Sequence, residues 1–165
     1  WSMNVATTTL TKQDVQGLIN AIVQATAEDS LSNPLKPEQW ELFSAYLQPC
    51  HLAPGQLLIN QGANDRTLYF VESGNLSVHY EDEKGRLRMA IVNPGSVVGE
   101  GAFFSHRPRG ATVQAAAACK LWNLTPLRFS ELGNRQPAIA LAVVMAAGAV
   151  LAKRLGNRKR RVATT

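Results

Sequence analysis

Gly99 and Gly101 flank the carboxylate of Glu100, Ala102 and the aromatic pair Phe103-Phe104 follow, and five residues beyond Phe104 the chain reads Arg109-Gly110-Ala111-Thr112-Val113. Small residues let a backbone come close to a ligand, and backbone N–H groups at the start of a short helix can cradle an anion. An arginine fork can hold two phosphate oxygens, and a glutamate can accept a hydrogen bond from a ribose hydroxyl. This is a layout for a phosphate and its sugar, and none of its parts is suited to breaking a bond. Each residue also admits a plainer reading. Arg109 alone would suit a surface ion pair, Glu100 a solvated loop carboxylate or a partner of Arg107, and the glycines simple turns.

These residues need a scaffold, and the chain is long enough to supply one. Its 165 residues, 45% hydrophobic and 18% charged, match one ordinary globular domain rather than a disordered chain. The longest apolar run, Ala138 to Leu151, has 14 residues, short of the roughly 20 that cross a bilayer, so a buried helix is expected and no membrane span. No basic segment precedes a hydrophobic stretch near the start, so no secretory signal is read there; Trp1 and Ser2 are set aside, with Met3 as the natural start. Cys50 and Cys119 have no ligand spacing and read as two free thiols in a cytoplasmic protein, with a disulfide as the alternative. Lys153, Arg154, Arg158, Lys159, Arg160 and Arg161 are six cations in the last 13 residues; removing them from the net +5 leaves −1. Basicity therefore belongs to the tail, which is either a solvated end or an attractor of nucleic acid or acidic partners.

Period and punctuation give the elements. Residues 7–11 are mostly β-branched and polar. Val15, Leu18, Ile19, Ile22 and Val23 predict an amphipathic helix over about 12–28, with Thr11 as N-cap and Asp14 completing a capping box. Residues 29–34 are a linker by turn chemistry. A second helix is expected over 37–48, with Pro37 in its first turn, Trp40, Phe43 and Leu47 on its buried side, and Pro49 ending it. From His51 the period becomes strand-like: runs 57–59, 68–71, 76–80 and 87–92 are divided by glycine turns, and 112–115 and 119–124 follow the Arg109 stretch. Short strands without intervening helices predict an antiparallel roll or barrel. Thr125-Pro126 opens a helix that Gly133-Asn134 ends; another starts near Pro137 and is weakened or terminated at Gly156-Asn157. The expected organisation is an N-terminal segment and helix (1–36), a roll with flanking helices (37–133), and a C-terminal helix with a basic tail (134–165).

The run GEGAFFSHRPRGATVQA, with Pro54-Gly55, Gly62, Asp65, Tyr69-Phe70-Val71, Gly74 and Pro94-Gly95 upstream, resembles the phosphate-binding cassette of the cyclic-nucleotide-binding domains. These are the sensor modules of bacterial catabolite activators, cyclic-nucleotide-dependent kinases and cyclic-nucleotide-gated channels, and the likeness covers roughly residues 49 to 133. The resemblance implies an α+β fold, an antiparallel β-roll, jelly-roll-like, flanked by N- and C-terminal helices, with a short cassette helix. It implies a non-catalytic, cytoplasmic sensor of a bacterial regulator type, with no cofactor and with cyclic AMP, or else cyclic GMP, as ligand. Arg109 would clamp the phosphate, Glu100 the ribose 2′-hydroxyl, and Gly99, Gly101, Ala102, Gly110 and Ala111 would bring main-chain groups to the ligand. Gly101 stands where the family carries a branched aliphatic, implying a looser cassette. Gly110 lacks the hydroxyl associated with cyclic GMP, which leans towards cyclic AMP and lower affinity. Val71, Leu76, Val92, Val98 and Val113 are candidates for the base pocket or equally for the core. Arg154 and Leu155 are candidates for a lid, Arg154 by stacking on the base, unless it is merely solvated. Phe103 and Phe104 would pack between cassette and terminal helices, so that ordering the cassette moves those helices.

Three other readings of the sequence compete with a sensor. A metal enzyme on a similar roll needs clustered ligands, whereas His51, His79 and His106 are isolated. A DNA-binding regulator would place a helix-turn-helix after the long helix, and only 10 residues follow Leu155, so specific DNA binding is not expected. A domain that kept the fold and lost the ligand would act as a scaffold or as a homodimer through its Ala-rich helix.

Overall fold

The computed structural model describes residues 10–163, with side chains described through residue 157. The Trp1-Ser2-Met3 start, most of the β-branched stretch 7–11 and the side chains of the 158–161 basic tail lie outside the described residues. Five helices and eight strands follow in the order α1 (Gln16–Gln24), α2 (Pro37–Ser44), β1 (Gln48–Leu52), β2 (Leu57–Ile59), β3 (Leu68–Ser73), β4 (Leu76–Glu81), β5 (Leu87–Val92), β6 (Val97–Val98), α3 (Glu100–Ser105), β7 (Thr112–Ala115), β8 (Cys119–Leu124), α4 (Pro126–Arg135) and α5 (Pro137–Ala163). The strands form two antiparallel four-stranded sheets, ordered β1-β8-β3-β6 and β2-β7-β4-β5. The fold is thus an α+β antiparallel β-roll with flanking helices.

Alternation along β3 and β8 separates two cores. Val71, Cys119 and Leu121 face the roll interior with Leu52, Ile59, Leu76, Val92, Val98 and Val113. Leu68, Phe70, Trp122 and Leu124 face the helical layer, packing with Leu18 and Ile22 of α1, Trp40 and Phe43 of α2, Leu132 of α4, and Ile139, Val143, Ala147 and Val150 of α5. The flanking helices therefore share a core with the sheet that walls the roll.

Several element boundaries differ from expectation. Helix α1 starts at Gln16, not near Lys12. The N-cap of α1 is Val15, not Thr11; the Asp14 carboxylate accepts the Gln16 N–H at 3.0 Å, two residues on, in a local turn that competes with helix. The chain leaves the helix at Ala25, which is extended, because the Gly95 turn packs against this point: a side chain on residue 95 would lie 2.5 Å from the Ala21 carbonyl. Helix α2 ends at Ser44, and residues 48–52 are strand β1. Pro49 sits inside that strand, opposite Trp122, a position open to proline because β1 lies at a sheet edge. At the other end, α5 continues through Gly156-Asn157 to Ala163. One glycine costs about 1 kcal/mol relative to alanine, and the helix-forming residue types on either side outweigh it.

Candidate phosphate and nucleotide site

Strand β6 delivers the chain to Gly99, the N-cap of α3, whose φ is +86. That residue has to be glycine for two reasons. The left-handed backbone disfavours a side chain, and a Cβ there would lie 2.6 Å from Arg109 Nη1 and 2.8 Å from the Thr67 carbonyl oxygen. Glu100 opens the helix and His106, with φ 59, closes it, its N–H bonded to the Ala102 carbonyl. Gly101 and Gly110 have open space around them.

Arg109 is buried, 4% exposed. Its backbone is fixed to the turn after β2: Arg109 N–H donates to the Ala63 carbonyl and Gly62 N–H to the Arg109 carbonyl, both at 2.8 Å. Its Nη1 donates to the Gly99 carbonyl at 2.8 Å, and Nη2 to Asp65 Oδ2 at 2.8 Å and to the Thr67 carbonyl at 2.7 Å. Asp65 is held in turn, its Oδ1 accepting the Thr67 N–H and hydroxyl at 3.0 and 2.9 Å. Partial burial alone would raise the Asp65 carboxyl, but the hydrogen bonds from Arg109 and Thr67 outweigh it and hold it below the usual carboxylate range. Tyr69 shifts the opposite way to a carboxylate so held: burial first, then the nearby Asp65 charge, push its phenol up. One donor remains. Among the described residues Arg109 Nε is buried with no hydrogen-bond partner, a state that costs about 1–3 kcal/mol unless an acceptor arrives.

Glu100 does not pair with Arg107. Its Oε1 lies 2.8 Å from Nη1 of Arg154, which reaches in from α5. The same guanidinium donates from Nε to Asp29 Oδ2 at 3.0 Å, and from Nη2 to the Ser96 hydroxyl at 3.0 Å and the Val97 carbonyl at 2.9 Å. With every nitrogen engaged, Arg154 is anchored in this socket rather than free to stack as a lid.

These groups border a cavity of about 670 Å³, lined by Gly99, Glu100, Gly101, Ala102, Arg109, Gly110 and Ala111, by Val92, Val98 and Val113, and by Arg154 and Leu155. Val71 and Leu76 are absent from its wall, being wholly buried in the roll interior. The cavity also takes in residues not anticipated from the sequence: Asp29, Ile59, Val78, Tyr80, Met89, Ile91, Leu151 and Asn157. The apolar alternation Leu87, Met89, Ile91, all exposed, was the available signal, since an uncovered apolar strand face is unusual unless something docks on it.

The aromatic pair joins this site to the helices. Phe103 packs edge-on to Phe104 at 5.2 Å and to Phe129 of α4 at 5.1 Å, and the Phe104 ring edge approaches Gly148 of α5. Among the described residues no group of three or more His, Cys, Asp or Glu could hold a metal. His79 meets the Ser77 hydroxyl and His106 meets Arg66. Cys50 and Cys119 are free thiols, both pushed up by burial. Residues 137–157 of α5, with a mean hydropathy of 1.9, are long and apolar enough to cross a membrane by those measures, which the 14-residue run did not suggest. Ile139, Val143, Ala147 and Val150 of this stretch are nevertheless buried in the domain core.

The description "Cyclic nucleotide-binding domain" matches residues 49–136, more than half of the chain. The cAMP-activated global transcriptional regulator CRP of Escherichia coli O6:H1 is 30% identical over 125 residues, covering 73% of this chain and 58% of the regulator. Acetyltransferase Pat of Mycolicibacterium smegmatis is 34% identical over 87 residues, 53% of this chain and 26% of the enzyme, so the matching stretch occurs in proteins that carry other activities. In fold, the chain is similar to a cyclic nucleotide-binding domain from Methylobacillus flagellatus, with a TM-score of 0.75 at 17% identity, covering 90% of this chain and 82% of that one. The chain spans less than two thirds of the length of the bacterial regulators it matches. Roll, cassette and extended sequence match together place this chain in the cyclic nucleotide-binding domain family.

Proposed function

We propose that the cavity is a non-catalytic site for a cyclic nucleotide, with cyclic AMP preferred, and that its occupation is signalled through the C-terminal helices. The observation that carries this is the Arg109 guanidinium. Three acceptors fix its plane while Nε is left buried without one. A phosphodiester oxygen beside Gly99 and the start of α3 supplies the missing acceptor, and a charged acceptor makes the stronger hydrogen bond to a guanidinium. The cavity volume of about 670 Å³ falls within the roughly 300–1,000 Å³ of small-molecule sites. Val92, Val98 and Val113 with Met89 and Ile91 give the apolar wall a purine needs. Cyclic AMP is favoured over cyclic GMP because residue 110 offers no hydroxyl. It also agrees with the activator named for its relative in Escherichia coli.

The route outward runs from α3 through Phe103 and Phe104 to Phe129 and Gly148, so tightening of the cassette presses on α4 and α5. Isothermal titration of the wild type and Arg109→Leu with cyclic AMP and cyclic GMP tests the reading. Hydrogen bonds to charged groups contribute about 1.5–3 kcal/mol each, so the variant is expected to lose at least about tenfold in affinity. Equal binding by the two proteins, or none by the wild type at millimolar nucleotide, overturns it.

A homodimer through α5 is the second part of the proposal, favoured by an exposed stripe. Leu141, Met145 and Leu155 are 64%, 66% and 48% exposed. With Gly148 and Ala152 they recur at alternating spacings of four and three, the pattern of a helix-pairing seam.

A further inference from the structure

We infer that His106 and Arg66 are positioning residues that hold the far end of the cassette helix, and that the hold exists only while the imidazole is neutral. The inference rests on the proposed nucleotide site and goes beyond it by giving that site an acid-sensitive fastening. Arg66 Nη1 and His106 Nδ1 lie 2.7 Å apart. A guanidinium has donors and no acceptor, so Nδ1 has to supply the lone pair and the ring carries its proton on Nε2. A second proton removes that acceptor and leaves two cations at hydrogen-bond distance.

The backbone sets both partners in place. His106 closes α3 with its N–H bonded to the Ala102 carbonyl, and among the described residues it alone, glycines apart, has a positive φ. Arg66 stands between Asp65 and Thr67, whose carboxylate and carbonyl hold the Arg109 guanidinium. The start of α3 is joined to the same arginine through the Gly99 carbonyl. One loop therefore fastens both ends of the helix, the first through Arg109 and the second through the His106 ring. The helix has only six residues and Gly101 among them, so freeing one end returns conformational freedom to the whole. The charged groups around the ring are Arg66 and, next in the chain, Arg107; Asp65 and Glu100 are engaged by Arg109 and Arg154, so neither is left to balance a charged ring. Attraction to the carbonyl end of α3 draws that ring further from Arg66. The cassette is thus fixed near neutral pH and loosened as pH falls through the imidazole range, and nucleotide affinity falls with it.

The test titrates the full chain with cyclic AMP at about pH 7.5 and about pH 5.5, in wild type, His106→Asn and Arg66→Ala. Asparagine tolerates the left-handed backbone and places Oδ1 where histidine has Nδ1, but it does not titrate. Expected is a wild-type affinity about threefold to fivefold lower at the acid pH, against a change under about twofold in His106→Asn. Arg66→Ala should bind near neutral pH as weakly as wild type does in acid, and change little between the two. A merely structural role would lower affinity equally at both pH values. A flat wild-type profile overturns the inference, and so does a pH dependence that survives in either variant. The contact is also read without ligand, from the imidazole 15N resonances: near neutral pH the His106 ring should carry its proton on Nε2 alone, and a proton on Nδ1 sinks the inference while leaving the nucleotide site standing. Wild type that binds no cyclic AMP at either pH removes the nucleotide site, and the ring tautomer then decides the fastening by itself.

Discussion

At the scale of single residues, the site depends on ions that hold one another. Arg109 is oriented by Asp65, and Asp65 by Thr67, so in the proposed site the carboxylate acts through the arginine, its hydrogen bonds among the described residues running to Arg109 and Thr67. Its folded pKa is depressed, so the stabilisation it provides is complete above the ordinary carboxylate value near 4 and is lost as pH falls through the lower folded value. Asp65→Asn is thus expected to melt at a lower temperature than wild type at pH 7, and the gap is expected to narrow as pH falls below the ordinary carboxylate value. Thermal melts of the two proteins at pH 7, 5 and 3 measure it. A gap independent of pH would show that the ion pair is not its source. The arginine was legible in the sequence because it and its glycines lie within one short stretch. Its counter-ion, 44 residues away, was visible only as one member of a family pattern.

At the scale of elements, what the sequence showed and hid follows from how local the cause was. Strands β2, β3, β4 and β5 were legible because short apolar runs are bounded by glycine turns, and β7 and β8 because such runs resume after the Arg109 stretch. The two-residue β6 is too short to have a period. Leu47 continues the helical spacing of Trp40 and Phe43, yet Gln48–Leu52 is a strand because β8 provides a partner 70 residues on, and pairing overrides local preference. The cavity wall was hidden for a different reason: a strand residue facing a ligand and one facing the core obey the same alternation, so Val71 and Val92 cannot be distinguished by pattern. Arg154 and Asp29 are 125 residues apart, and nothing local announces that they meet. Gly156 gave a misleading stop signal, and this can be tested directly. It is exposed in α5 and a Cβ there meets nothing. Gly156→Ala should therefore strengthen the end of the helix by about 0.5–1 kcal/mol, read as slower hydrogen exchange in residues 152–160. Unchanged exchange would mean that the helix end is not limited by this residue.

At the scale of the whole molecule, α5 is shared between two tasks. Ile139, Val143, Ala147 and Val150 belong to the domain core, while Leu141, Met145 and Leu155 face outward. If that outer stripe pairs with a second copy, Met145→Glu places two like charges in the seam. Sedimentation equilibrium should then show a wild-type dimer at tens of micromolar and a variant dissociation constant raised at least about tenfold; a monomeric wild type would refute the pairing.

The pairing of the first strand with the last has a consequence for how the chain reaches its native state. Gln48 finds Asn123 and Leu52 finds Cys119, so the outer edge of that sheet stays open until nearly the entire roll has been synthesised. Closure over such long separations is slow, and α4 and α5, which cover the finished sheet, emerge from the ribosome later still. Refolding is accordingly expected on the millisecond-to-second scale typical of non-local β topologies, with the nucleotide cup among the last parts to assemble.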